Sequence, residues 1–188
     1  ISSANASVAA LWGAIYNTVY IANFILERLP EVAGVPTTQR NQVMGTAYFL
    51  RGYAYFIALY TFGGVPEVIT TDIETNRNIP RATEAEILSL IIDDYNEALA
   101  TLPEEPVNAG FAGEFAVRAA FARLYLYLGD WNKAVQFSTE VIDSDQYELE
   151  AEFSSLVTED FTDEAILEVG YTQADDPGSD GNFGLNNL

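Results

Sequence analysis

Apolar positions recur at helical spacing along most of the chain, and the interruptions mark where each helix stops. Within residues 1–29, Leu11, Ile15, Val19, Ala22 and Leu26 fall on one face, the three-to-four-residue rhythm of an amphipathic helix. Asn5 or Ser7 can cap its start, because either side-chain oxygen can accept from the free N–H groups of a first turn, and Pro30 ends it after Leu29. A short linker at 31–40 with Gly34 and Pro36 leads into the most apolar stretch, residues 46–66. There Ala47, Leu50, Ala54, Ile57 and Ala58 recur, Gly52 leaves room for a second helix, and Gly63-Gly64-Val65-Pro66 stops the run. Tyr48, Tyr53, Tyr55 and Tyr60 bring apolar bodies whose hydroxyls can reach a polar rim. Arg51, the one charged residue of this stretch, is expected to bury its stem and pair with a carboxylate on a neighbouring helix.

The segment 63–82 is rich in helix breakers, and its Val68-Ile69-Thr70-Thr71 has the composition of a short strand. So long a connection is a place where a site can be lined. Thr83 with Glu86 three residues on forms a capping box for the next helix, which buries Ile87, Leu90, Ile91, Ala98 and Leu102. Asp93 and Asp94 lie mid-helix and read as a solvated face or as arginine partners, since acid–base work needs a cleft and a shifted pKa. Residues 114–128 and 130–143 form a helical hairpin hinged at Gly129-Asp130. Ala122, Tyr125, Gly129 and Ala134 stand at offsets 0, 3, 7 and 12, the tetratricopeptide placement of small seam residues, a seam tyrosine and a turn glycine. Tyr95, Ala98 and Pro103 fit the end of the second helix of a similar unit, whose first helix is the one carrying Gly52 and Tyr55, across the long connection. Trp131, beside the turn, is expected to pack rather than to serve as a ligand platform. Further on, Gln146–Leu149 alternates, a turn of helix is expected near Phe153–Val157, and Ala165–Tyr171 reads as a strand or extended segment. The expected fold is mainly α, built of tetratricopeptide-like hairpins in an α/α superhelix, with long loops and a short β or irregular C-terminal segment, as one region over 1–188.

Composition narrows the function. The chain has 188 residues, 49% hydrophobic, with 28 acidic against 8 basic side chains and a net charge of −20; it can bury a core, and its charge must lie mostly on the surface. Nucleic acid is excluded as a partner, because such a surface repels phosphate and no Lys/Arg cluster offsets that locally. The acidic surface fits a high-salt or exported setting or a basic partner protein. Cysteine and histidine are absent, which removes disulfides, thiolate and histidine metal sites, and histidine-based nucleophile activation. No cofactor is expected. Asp176-Pro-Gly-Ser-Asp180-Gly-Asn182 has some oxygen ligands of a calcium loop but lacks the regular spacing and the terminal glutamate. Residues 1–26 carry no charged side chain, yet Asn5, Asn17 and Asn23 and the want of a basic leader favour a packed helix over a signal peptide or membrane span. The chain opens on Ile1 and is read as a processed or trimmed piece of a longer protein.

The stretch Ala47-Tyr-Phe-Leu-Arg-Gly-Tyr-Ala-Tyr-Phe56, closing on Phe62-Gly-Gly-Val-Pro66, resembles the signature of SusD/RagB-type outer-membrane lipoproteins. Four further blocks agree in order: Leu11-Trp12 to Tyr16 with Ala22-Asn23, Ile91 to Leu102-Pro103, Ala119 to Trp131, and Tyr147-Glu148-Leu149 with Glu164 to Val169. Family members are much longer, so the resemblance concerns their helical core, and Gly110-Phe-Ala-Gly-Glu-Phe115 replaces a usual basic segment before the second hairpin. The resemblance implies a non-enzymatic cell-surface protein that captures a glycan or other nutrient. It also implies a partnership with a SusC-like TonB-dependent outer-membrane transporter, and attachment to the membrane only through a lipid anchor outside this sequence.

Glycan recognition needs aromatic faces for sugar C–H groups and amides or arginines for hydroxyls. The resemblance points to Trp12, with Tyr16 and Asn17, as ligand-binding residues, while core packing is the stronger reading of Trp12 from the residues alone. Two other classes share the composition. A free-standing tetratricopeptide scaffold for peptides would carry regular short repeats and a basic clamp, and a carboxylate glycosidase would need two carboxylates facing each other across a cleft.

Overall fold

The computed structural model describes residues 5–169. Helix α1 (Ala6–Arg28) starts on Asn5, whose Oδ1 accepts from the N–H groups of Ser7 and Val8 at 2.9 and 3.4 Å. Pro30 sits in the turn of 3-10 helix at Leu29–Glu31 that closes α1. By length and composition α1 could cross a membrane; here its Ile15, Val19, Ala22 and Asn23 are buried and its main partner is α2. Leu11, expected on that face, is exposed, because the buried stripe is turned towards Asn23. Helix α2 (Thr37–Phe62) begins inside the stretch read as linker. Pro36 pre-sets its entry, and the Arg40 guanidinium donates to the carbonyls of Leu29 and Val32, tying the new helix to the end of the old one.

Gly63 ends α2 with φ of 74° and donates to the Leu59 carbonyl at 2.9 Å, a backbone state open to glycine at little cost. The connection that follows contains one turn, α3 (Ile73–Asn76), capped by Asp72. Val68–Thr71 forms no strand; the segment lies on the α1–α2 pair and uses its backbone groups there, and one isolated bridge joins Pro66 and Arg81. Helix α4 (Glu84–Thr101) has the full capping box between Thr83 and Glu86. Its fit against α2 is set by two glycines a double turn apart. A Cβ on Gly45 would stand 2.6 Å from Leu102 Cγ, and one on Gly52 would stand 2.9 Å from the Tyr95 ring. The α2–α4 pair is therefore the interrupted hairpin that the sequence implied.

Helices α5 (Glu114–Leu128) and α6 (Trp131–Ile142) form the second hairpin, with Gly129 left-handed at φ 73° and Asp130 capping α6. Phe137 of α6 stacks on Phe121 and Tyr125 of α5, and Phe121 meets Tyr95 of α4 edge-on at 5.1 Å, which joins the two hairpins through one aromatic core. Trp131 does not pack as expected and is 64% exposed. As the first residue of α6 it points off the hairpin's end, and the inward position of that turn belongs to Ala134. A last turn, α7 (Ser155–Thr158), precedes an irregular segment held by Glu148 N–H to Asp163 O (3.1 Å) and Glu168 N–H to Ala109 O (2.9 Å). Residues 165–169 are irregular rather than a strand, and the Asp176–Asn182 candidate calcium loop lies outside the described residues.

Candidate functional site

The candidate residues lie on the first half of α1, where the helix meets the end of α2. Trp12 and Tyr16 are one turn apart and half-buried, with ring centroids 4.9 Å apart and planes tilted by 40°. Trp12 also meets Phe62, the last residue of α2, edge-on at 5.1 Å. The Tyr16 hydroxyl donates to the Pro66 carbonyl at 2.8 Å, and burial raises its pKa to about 12 against the pull of Arg81. Tyr16 is thus a fixed neutral donor. Asn17 is exposed, roughly 140° around the helix from Trp12 at about 100° per residue. The helix brings Trp12 and Tyr16 together and sets Asn17 on the adjoining open side.

Between them lies Gly13, which the sequence reasoning passed over. A Cβ there would meet nothing within 4 Å, so packing gives no reason for a glycine in this helix. Its available signal was local: a glycine far from either helix end, where alanine would be about 1 kcal/mol better. Gly13 leaves the helix backbone bare on the face between the aromatic pair and Asn17.

The platform is held by the long connection, which runs back along α1. The Tyr55 hydroxyl accepts from Val68 N–H at 2.7 Å and donates to Val68 O, while Asn23 Nδ2 donates to the same carbonyl at 2.9 Å. Asn23 Oδ1 accepts in turn from Arg51 at 2.7 Å, and Arg51 grips Asp94 of α4 with two bonds of 2.6 and 2.9 Å. All three side chains are buried. Burial pushes the Asp94 carboxyl up while Arg51 pulls it back. Burial also opposes charge on Arg51, but Asp94 outweighs it and the guanidinium pKa is raised. At the far end of α1, Glu27 accepts from the hydroxyls of Thr70 and Thr71 and from Thr71 N–H, which together hold its carboxyl down at about 2. Asp93, the neighbour of Asp94, is exposed, so the two carboxylates do not face one site. Among the described residues no group of three or more carboxylates is placed to hold a metal ion.

Paired helices, one pair joined at a glycine turn and the two pairs stacked through a shared aromatic seam, define a tetratricopeptide-type helical scaffold. This chain belongs to the SusD-like family: the family described as starch-binding and associating with the outer membrane matches residues 1–126. SusD-like protein P38 of Formosa agariphila is 30% identical over 140 residues, 73% of this chain and 27% of that protein. A laminarin-binding SusD-like protein of known structure superposes with a TM-score of 0.78 at 25% identity, over 84% of this chain and 36% of the other. A SusD superfamily protein from Parabacteroides distasonis gives a TM-score of 0.76 at 27% identity, over 83% and 36%. The chain spans about a third or less of the length of the curated relatives it matches.

Proposed function

We propose that this chain is the helical part of a non-enzymatic, lipid-anchored cell-surface protein that binds an oligosaccharide and delivers it to a TonB-dependent outer-membrane transporter. The observation that carries the glycan reading is the Trp12–Tyr16 ring pair beside the open helix face at Gly13, with the exposed Asn17 on the other side of that glycine. A sugar ring approaching there lays its C–H face on Trp12, whose tilt is fixed by Phe62 and Tyr16, and offers its hydroxyls to Asn17. Tyr16 acts through position, because its hydroxyl is already engaged by Pro66. The family and the laminarin-binding relative support a glycan over a peptide. No calcium or other cofactor enters this reading.

Screening the intact protein on a glycan array, then titrating the best ligand by calorimetry, tests it. Trp12→Ala is expected to weaken binding about tenfold or more, the equivalent of roughly 1.4 kcal/mol. Gly13→Leu is the sharper variant. A Cβ at Gly13 meets nothing within 4 Å and leucine favours a helix, so the expected result is a folded helix whose open face is covered and whose binding is lost. Unchanged affinity in both variants returns Trp12 to a packing role and moves the ligand elsewhere.

A further inference from the structure

Helix α1 buries Ile15, Val19, Ala22 and Asn23, small or aliphatic side chains apart from the asparagine. Its open face is built differently. Counted from Gly13 at about 100° per residue, Asn17, Tyr20 and Phe24 stand within about 40° of that glycine, and all four are exposed. Tyr20 is 53% and Phe24 48% exposed. Neither lines the apolar groove between α1 and α2, which Ile21 and Ile25 enter from the flank opposite Trp12. The two rings also continue a row. Trp12, Tyr16, Tyr20 and Phe24 follow one another at every fourth residue, so each rises about 6 Å and turns about 40° from the last. The row climbs from the half-buried Trp12–Tyr16 pair onto the open face. A helical side chain covers the turn N-terminal to its own Cα, which for Tyr20 is the turn of Tyr16 and Asn17. Tyr20 therefore adjoins the Asn17 side of the candidate site.

We infer that the site is longer than one sugar: a neutral oligosaccharide lies lengthwise on α1 from Trp12 to Phe24, with Tyr20 and Phe24 as further stacking positions. This rests on the glycan reading of Trp12. The row spans about 18 Å, the length of roughly three pyranose units in an extended chain, and its step is close to that of one unit. Residues 1–26 carry no charged side chain, so this helix has no ion partner for an acidic or cationic sugar. The Tyr20 hydroxyl and the Asn17 amide can each donate to or accept from neutral sugar hydroxyls. One uncharged aromatic per helical turn, with an amide beside the row, suits the C–H faces of successive sugars. A second helix docking here would instead meet two large rings, where the buried side of α1 offers Val19 and Ala22.

Calorimetry on the intact protein with neutral gluco-oligosaccharides, dimer through hexamer in each common linkage, tests this. In the series that binds, affinity is expected to rise with each unit up to the third or fourth and then level. Tyr20→Ala and Phe24→Ala are each expected to weaken tetramer binding about fivefold, the effect of one aromatic contact, and to leave the dimer unchanged. Tyr20→Phe keeps the ring and should keep most of the gain with length. Trp12→Ala is expected to weaken every length, which separates the two readings. Weakening by Trp12→Ala without any by Tyr20→Ala or Phe24→Ala overturns the lengthwise site alone, whereas no weakening by Trp12→Ala overturns the glycan reading with it. Affinity independent of length, or binding by no neutral series, also overturns the inference. So does a lower Tm in Tyr20→Ala with unchanged tetramer affinity, the mark of a protein segment covering this face.

Discussion

The side chains with the largest energetic leverage are the buried polar ones. Arg51 and Asp94 are 8% and 2% exposed, and a charge left in that position without its partner is strongly unfavourable. Asp94→Asn is expected to destabilise by about 3–5 kcal/mol, because Arg51 keeps its charge and loses its counter-ion. The paired change Arg51→Met with Asp94→Leu should cost less than either single replacement, since it removes both desolvation penalties together; urea melts of the three variants check this, and a double variant weaker than both singles would refute it. Glu27 gives a pH signature. Its folded pKa of about 2 lies below the ordinary 4.5, so the bonds to Thr70 and Thr71 stabilise the fold fully above pH 4.5 and lose that effect as pH falls towards 2. Glu27→Gln should therefore melt below the parent at pH 7, with the gap in Tm closing between pH 4.5 and 2. A gap independent of pH would show that the carboxylate charge is not what holds the loop.

Helices and their junctions depend on where backbones come close. At Gly64 a Cβ would lie 2.1 Å from the carbonyl oxygen of Ala82, a backbone atom held by the Ala82 N–H to Val65 O bond of 3.0 Å. At Gly52 the obstacle is the Tyr95 ring at 2.9 Å, for which overpacking costs about 1–3 kcal/mol less the roughly 1 kcal/mol that alanine gains in a helix. Gly64→Ala should thus lower Tm more than Gly52→Ala, and the reverse order in calorimetry would mean that the loop yields more easily than the α2–α4 seam. Features decided within a few residues were legible in the sequence: the Thr83–Glu86 capping box, the Gly129 hinge, the stop at Gly63. The α2–α4 pairing was legible too, because Gly52 and Tyr95 carry matching marks on either side of the long connection. What stayed hidden depends on tertiary surroundings. Asn23 reads only as a polar interruption of the first helix until Arg51 and the Val68 carbonyl meet it. Trp131 reads as core until the hairpin's end proves uncovered. Gly13 reads as a weak point until the space above it is seen to be empty.

At the scale of the whole molecule, attraction between charges is nearly exhausted by local duties. Of the eight basic residues, Arg51, Arg77, Arg118 and Lys133 are paired with carboxylates, while Arg40 and Arg81 donate to backbone carbonyls. Most of the acidic residues among those described therefore face water with no cation paired to them, and their mutual repulsion works against the compact state. Screening relieves it, since going from about 0.1 M to about 1 M salt shortens the Debye length from roughly 10 Å to roughly 3 Å. The Tm at pH 7 is accordingly expected to rise with sodium chloride over that range. Salt also strengthens apolar burial to a degree, and pH separates the two effects. Near the ordinary carboxylate pKa of about 4 much of the repulsion is already gone, so a rise caused by screening flattens there, whereas a rise caused by apolar burial persists. A salt slope equal at pH 7 and pH 4 would mean that the acidic surface does not limit stability. A slope confined to pH 7 would mark this helical layer as one whose stability follows the ionic strength of its surroundings.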